Sequence, residues 1–323
     1  MSHTADEPAQ RQPGPADGYS FLGPAGTFTE AALAQVPEAD GQPWHAVNNV
    51  GEALDDVVAG RSFAAMVAIE NSIDGGVSVA QDALATIPDL RIQGEYIVPV
   101  NFDLVARPGA TLTDVSVINA HPVAYAQCHS WLDARLPRHT HLTASSNVAA
   151  AASLLDGSEA DAAIAPPGII RHHDLSVLAR NIGDNPNAAT RFVLVTRARS
   201  LPRPTGADKT SVIAELPDDR PGSLLDLLEQ FSTRGVNLSL IESRPIGDAM
   251  GRYRFVIDVD GHILDERVAD ALLGLRRFCP RVIFLGSYPR ADREQIVYDH
   301  RYDDGVFVEA RNWLQALLAS GGS

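Results

Sequence analysis

Apolar and polar positions along the first two hundred residues form short runs whose period keeps switching. Tyr19 to Leu22 is a compact apolar run, closed by Gly23, Pro24 and Gly26, with Thr27 and Thr29 ahead of Glu30, Ala31, Ala32 and Leu33. That order predicts a buried strand, a glycine turn and a helix capped by one of the two threonines. Val50 to Ala59 carries Val50, Leu54, Val57 and Val58 on one helical face, and Ala64 to Ile69 is a β-like run ending at Glu70-Asn71-Ser72. Asp74-Gly75-Gly76 then turns the chain into a helix over Val77 to Ile87, and Ile97 to Ala106 reads as the next strand. Strands alternating with helices predict an α/β layer structure with a largely parallel sheet.

The same grammar repeats further on. Val115 to Ile118 reads as a strand, and His121-Pro122 opens a helix carrying Tyr125, Cys128, Trp131 and Leu132, with proline at its favoured first position. Ser145-Ser146-Asn147 is an N-cap cluster before an Ala-rich helix over 148–155. Ala162 to Ala165 is a strand broken by Pro166-Pro167-Gly168, and Thr190 to Thr196 is another. These elements divide 18–200 into two lobes, about 18–105 with 182–200 and about 106–181. A cleft between them is the expected place for a pocket.

Residues 201–208 read as a Pro/Gly linker. Over 209–288 the order becomes strand, helix, strand, strand, helix, strand, the ferredoxin-like βαββαβ pattern. Residues 1–17 read as a disordered lead. The segment 289–323 reads as a polar tail ending in a helix, whose stripe of Trp313, Leu314, Leu317 and Leu318 is expected to pack against the body.

Charge narrows the partners. The 323 residues hold 26 Lys and Arg against 41 Asp and Glu, a formal net charge of −15. Such a field argues against nucleic acid as a partner. No apolar run reaches the roughly 18 residues of a membrane span, and the lead lacks the apolar core of a secretory signal. A cytoplasmic protein is expected, with Cys128 and Cys279 as unpaired buried thiols.

Candidate chemistry collects at the element ends: Thr27 and Thr29, Asn71 and Ser72, His121, Ser145 and Ser146, and Thr190 with Arg191. In an open α/β sheet the carboxyl ends of the strands face one crevice, so these groups can line one pocket of hydroxyls, amides and a guanidinium. It suits a small carboxylated molecule, held bidentately by Arg191 and by a helix N-terminus. Helix capping alone accounts equally well for Ser145, Ser146 and Thr29. There is no Walker loop, no HExxH and no GxGxxG, so phosphoryl transfer, zinc hydrolysis and nicotinamide chemistry are not expected.

Seven stretches carry a family resemblance. They are Gly23-Pro-Ala-Gly-Thr-Phe-Thr29, Ile69-Glu-Asn-Ser-Ile-Asp-Gly75, His121-Pro122 with Gln127, Asp161 to Ala165, Asn187-Ala-Ala-Thr-Arg-Phe192, Arg220-Pro-Gly-Ser-Leu-Leu225 and Ile241-Glu-Ser-Arg-Pro245. In this order they resemble prephenate dehydratase with a C-terminal ACT regulatory domain, over about residues 19–289. The resemblance implies a two-lobed catalytic domain like a type II periplasmic-binding fold, and conversion of prephenate to phenylpyruvate without a metal or other cofactor. It implies Thr190 as hydrogen-bond donor to the leaving oxygen, with Asn71, His121 and Gln127 also catalytic. Thr27, Phe28, Thr29, Ser72, Ser146, Arg191 and Phe192 would contact substrate, Arg191 by anchoring a carboxylate.

For the ACT part the resemblance implies phenylalanine bound between two chains of a homodimer or homotetramer, with inhibition the expected sign. Its contacts would be Gly222, Ser223, Leu224, Leu225, Asn237, Leu238, Glu242, Ser243, Arg244 and Pro245. Two departures stand out: Ala120 where the family commonly has Ser, and Gly222-Ser-Leu-Leu225 where it has Gly-Ala-Leu-Val. Arogenate dehydration and a non-catalytic amino-acid sensor are the competing readings.

Overall fold

The computed structural model describes residues 18–73, 75–217, 220–247 and 251–320. The expected lead at 1–17 and the Asp74 position of the turn lie outside these residues.

The chain opens with β1 (Tyr19–Leu22), α1 (Phe28–Leu33), β2 (Trp44–Val47), α2 (Val50–Val58), β3 (Ala64–Asn71), β4 (Gly75–Gly76), α3 (Ser78–Thr86) and β5 (Leu90–Pro99). It then builds a second lobe from β6 (Asp103–Ala106), β7 (Val117–Ala120), α4 (Pro122–Gln127), α5 (His129–Arg135), β8 (Thr140–Thr143), α6 (Asn147–Ser153), β9 (Ala162–Ala165) and β10 (Ser176–Ala179). β11 (Ala189–Arg197) returns to the first lobe. The first sheet runs β2-β1-β3-β11-β5 with β4 beside β3, and the second runs β10-β6-β9-β7-β8.

Both sheets are mixed, which corrects the largely parallel expectation. β1 pairs in parallel with β2 and β3, whereas β11 lies antiparallel to both β3 and β5. In the second lobe β7 is parallel to β8 and β9, and β6 is antiparallel to β9 and β10. The antiparallel pairs arise where the chain crosses between lobes and enters a sheet from its opposite end. The single strand expected over Ile97 to Ala106 is likewise two. β5 belongs to the first sheet and β6 to the second, with the crossing at 100–102. The helix expected from His121 divides into α4 and α5 at Cys128, whose φ of −117° and ψ of 7° leave the helical region. Cys128 and Cys279 are both free and buried.

The C-terminal unit is β12 (Asp208–Glu215), α7 (Ser223–Ser232), β13 (Leu238–Pro245), β14 (Tyr253–Asp260), α8 (Glu266–Phe278) and β15 (Arg281–Pro289), with strand order β13-β14-β12-β15. It docks on the first lobe. Ile213, Val256, Leu285 and Tyr288 join Val47, Leu54, Val67 and Ile92 in one buried cluster. Where β15 passes β5, Gly286 has φ +148°, and a Cβ there would stand 2.5 Å from the carbonyl of Ile92, so only glycine fits. A last helix, α9 (Asp304–Ser320), is tied to α8 by Arg311 donating to Glu266 at 2.6 Å. Its Trp313, Leu314, Leu317 and Leu318 are exposed, so the stripe does not pack against the body as expected.

Candidate active site

The glycine turn after β1 is the hinge of the site. Thr27 is the cap of the two candidates: its Oγ1 accepts the Glu30 amide at 3.3 Å. Glu30 folds back so that one carboxylate oxygen accepts the Gly26 amide at 2.7 Å and the His172 Nε2 hydrogen at 2.9 Å, with the Arg171 guanidinium 3.9 Å away. Gly26 has φ +91° and lies where a Cβ would meet Ile169 at 3.0 Å. The first lobe's turn is thereby pressed against the 3₁₀ turn Pro167–Arg171 of the second lobe.

Two cavities of about 270 Å³ each open on either side of Thr27, Phe28 and Pro166. The first is lined by His121, Ser145, Ser146 and Asn147. His121 and Ser146 cap α4 and α6: the His121 Nδ1 accepts the Val123 amide at 3.3 Å, and the Ser146 Oγ accepts the Ala149 amide at 3.0 Å. The second cavity is lined by Val98, Pro99, Asn101 and Arg171. Helix N-termini and one guanidinium around an apolar slot favour a small anion.

Thr190 stands beside this wall. It pairs in register with Val98 of β5 on one side and with Asn71 of β3 on the other. The Asn71 side-chain oxygen accepts the Ile73 amide at 2.8 Å, which fixes its amide orientation. Its Nδ2 then donates to the Thr190 Oγ1 at 3.1 Å. A hydroxyl that accepts through oxygen keeps its own hydrogen for another partner. The Ser72 Oγ accepts the Ala189 amide at 3.0 Å and holds the two strand ends together.

Arg191 is not where a substrate anchor must be. Adjacent residues on a strand face opposite ways, and Arg191 is turned from the cleft with only 7% of its surface exposed. Its Nε donates to Glu70 at 2.9 Å, its Nη1 to Glu95 at 3.2 Å and its Nη2 to Asp258 of β14 at 2.5 Å. Burial alone would lower its pKa, but Asp258, Tyr288, Glu95 and Glu70 together hold it well above the usual value. Phe192 is equally displaced: it is buried in the core with Tyr19, Phe21 and Met66. Strand alternation turns Arg191 away from the Thr190 face, whereas Phe192 packs into the core beyond the register shift that follows Arg191.

The remaining site residues divide. Thr27, Phe28, His121 and Ser146 share the first cavity, and Asn71, Ser72 and Thr190 form a cluster at the ends of β3 and β11. Thr29 is buried within α1 and is not among the residues lining either cavity. Gln127 lines a separate space of about 80 Å³ with Phe102, Gly183 and Ala188. Asn147 and Pro166 stand out in the sequence only as a helix cap and a strand break, and Arg171 and His172 not at all. For Arg171 the available signal was its place just after a predicted strand end and a Pro-Pro-Gly break.

In the C-terminal unit Gly222 takes φ +92° before α7, Ser223 is buried with its Oγ accepting the Arg220 amide at 3.4 Å, and Leu224 and Leu225 are exposed. Asn237 donates to Asp260 at 2.8 Å. Two residues expected at the effector make contacts with the catalytic lobe. The Glu242 carboxylate accepts the Gln81 amide at 2.7 Å, and Arg244 pairs with Asp82 at 2.6 Å. Hydrogen bonding from Arg244 is the main cause that keeps the Asp82 carboxyl below its ordinary value, with Arg254 adding to it against the effect of burial.

Comparison with known proteins places this geometry in a family. The family model of prephenate dehydratase matches residues 19–200, and that of the ACT domain matches 210–277. The chain is 39% identical over 299 residues to a prephenate dehydratase of Amycolatopsis methanolica, covering 92% of this chain and 97% of the relative. Among solved structures it is similar to the prephenate dehydratase of Arthrobacter aurescens in complex with L-Phe, with a TM-score of 0.89, 51% identity, and coverage of 94% of this chain and 99% of that one. It is also similar to a protein described as a novel type of quorum quenching acylase, with a TM-score of 0.76, 29% identity, and coverage of 84% and 97%. With more than half its length matched by the family model and nearly all of it aligned to relatives of this identity, the chain belongs to the prephenate dehydratase family and carries a C-terminal ACT domain.

Proposed function

We propose that the chain dehydrates and decarboxylates prephenate in the cleft between its lobes, with Thr190 acting on the leaving hydroxyl. The observation that carries this is the Asn71–Thr190 hydrogen bond. By donating to the Thr190 oxygen, Asn71 makes the hydroxyl a better acid and leaves its hydrogen free for the ring hydroxyl of the substrate. The ring C–carboxylate bond breaks and releases CO₂. Its electron pair enters the ring as the C–O bond breaks, and the departing hydroxyl takes the Thr190 hydrogen and leaves as water, the threonine oxygen regaining a proton from solvent. Aromatisation drives the step, so the protein's task is placement and that one hydrogen bond. Arg171 and the N-termini of α4 and α6 are suited to hold the two carboxylates. Thr27 and Phe28 divide the cleft, and His121 closes its far wall.

Among the described residues, those lining the two cavities include no carboxylate. Glu30, which stands just behind them, is already occupied by Gly26 and His172. The side-chain ammonium of arogenate would find no partner there, which favours the keto substrate. The L-Phe complex of the relative supports phenylalanine as effector at the ACT domain. Here the Gly222 turn with exposed Leu224 and Leu225 offers backbone amides and apolar surface. β13 is the edge strand of its sheet, which supports pairing with a second copy and hence a homo-oligomer. A cytoplasmic location fits a substrate of central metabolism.

The test is phenylpyruvate formation from prephenate, with and without L-phenylalanine, and separately phenylalanine formation from arogenate, each by the purified chain. Turnover of prephenate, preferred over arogenate and lowered by phenylalanine, is the expected result. Preference for arogenate would overturn the substrate assignment, and no turnover of either would leave the sensor reading.

A further inference from the structure

Thr190 and Arg191 are consecutive, and so are their register partners Asn71 and Glu70. On one face Asn71 donates to Thr190, and on the other Arg191 donates to Glu70. The register slips immediately afterwards, between Arg191 and Phe192. A bulge at this point re-aims side chains and fixes where the preceding pair stands. The guanidinium is gripped by three strands at once: Glu70 of β3, Glu95 of β5 and Asp258 of β14, the last from the ACT domain.

Two of the three acceptors are themselves held. The Glu95 oxygen that meets Arg191 also takes the Lys209 ammonium at 2.8 Å, and its other oxygen takes the Ala291 amide at 2.9 Å. The second Asp258 oxygen accepts the Ser211 hydroxyl, which meets the buried Tyr288 hydroxyl at 2.6 Å. A buried ion cluster adds little net stability over apolar packing, yet costs much when one partner is lost. What it supplies is a fixed geometry, one peptide unit from Thr190.

We infer that Arg191 is a positioning residue through which the ACT domain sets the Thr190 hydroxyl. With Asp258 seated against the guanidinium, β11 holds Thr190 beneath Asn71; when the ACT domain shifts, the seat loosens and the hydroxyl leaves its working position. This rests on the reading of Thr190 as proton donor. A state change in the ACT domain then alters kcat more than KM, because neither Arg191 nor Asp258 is placed against substrate.

The experiment uses the full chain with Asp258→Asn and, separately, Glu70→Gln. The Glu70 side chain is 36% exposed, so its variant should fold even where the buried one does not. Thr190→Val serves as reference. Measured are kcat and KM for prephenate, phenylalanine binding by calorimetry, and the factor by which saturating phenylalanine changes kcat. Expected is a roughly 3- to 30-fold fall in kcat with KM little changed. In Asp258→Asn phenylalanine should still bind but change turnover by a smaller factor than in the parent. A purely structural role would lower the melting temperature and leave that factor untouched. Parental kcat and parental response in both variants, while Thr190→Val is inactive, would overturn the coupling alone. Full activity of Thr190→Val would overturn the proton-donor reading and this inference with it. If Asp258→Asn does not fold, the kcat of Glu70→Gln decides.

Discussion

A threonine hydroxyl is a weak acid, and what it can do here is set by one neighbour. Asn71 is fixed by the Ile73 amide, so its NH₂ group faces Thr190. Arg191, next along the chain, is buried and spends its Nε, Nη1 and Nη2 on three carboxylates. Strand alternation sets these two residues on opposite faces, although their motif alone suggests one pocket for both. The sequence does not show which face meets the cleft, because the groups that claim Arg191 lie as far away as Asp258 in another domain. Arg171, exposed beside the second cavity, is the cation suited to substrate instead. Arg171→Gln should raise KM for prephenate roughly tenfold, the worth of a charge-assisted hydrogen bond, with kcat little changed. An unchanged KM in steady-state kinetics would remove Arg171 from the binding set.

At the scale of elements, the site is made from helix starts whose caps also face the cleft. Ser146 illustrates the double duty: its oxygen accepts the Ala149 amide while its hydrogen stays available to the first cavity. Glycine at an N-cap costs a helix only a few tenths of a kcal/mol, whereas alanine costs about 1 kcal/mol. Ser146→Gly should therefore melt close to the parent while its KM rises, and Ser146→Ala should lose both stability and affinity. A parental KM in both would reduce Ser146 to a cap. Element types were largely legible from the sequence. Proline at the first turn of α4 and the Ser-Ser-Asn cluster before α6 lie where the structure starts those helices. β5 was legible only in its last three residues, because Arg91, Gln93 and Glu95 break up the apolar run before them. The reason for such polar residues lies in tertiary structure: Glu95 is buried against Arg191 and Lys209.

For the whole molecule, the ACT domain is seated on the catalytic domain by a shared core and by ion pairs at its rim. The order βαββαβ announces the unit, but no local pattern announces where it docks. That depends on surfaces such as Gly286 against Ile92, which meet only after both have folded. Asp82 of α3, held by Arg244 and Arg254, reports on the seat. Its carboxyl lies below the ordinary 3.8 in the folded protein, chiefly through the Arg244 hydrogen bond. A depressed carboxyl contributes stability that is complete above its unfolded value and is lost as pH falls through the folded one. Asp82→Asn should cost about 1 kcal/mol near neutral pH, discounted for its partial exposure. The gap between variant and parent in thermal melts should close as pH drops below 3.8. A gap independent of pH would mean that Asp82 acts by packing and not by charge.

The most direct measurement is steady-state turnover of prephenate by Thr190→Val beside the parent. Valine keeps the shape and strand preference of threonine and removes only the hydroxyl. The Asn71–Thr190 account predicts a fall in kcat of roughly 10²- to 10⁴-fold with substrate affinity retained. A variant that forms phenylpyruvate at the parental rate would contradict it.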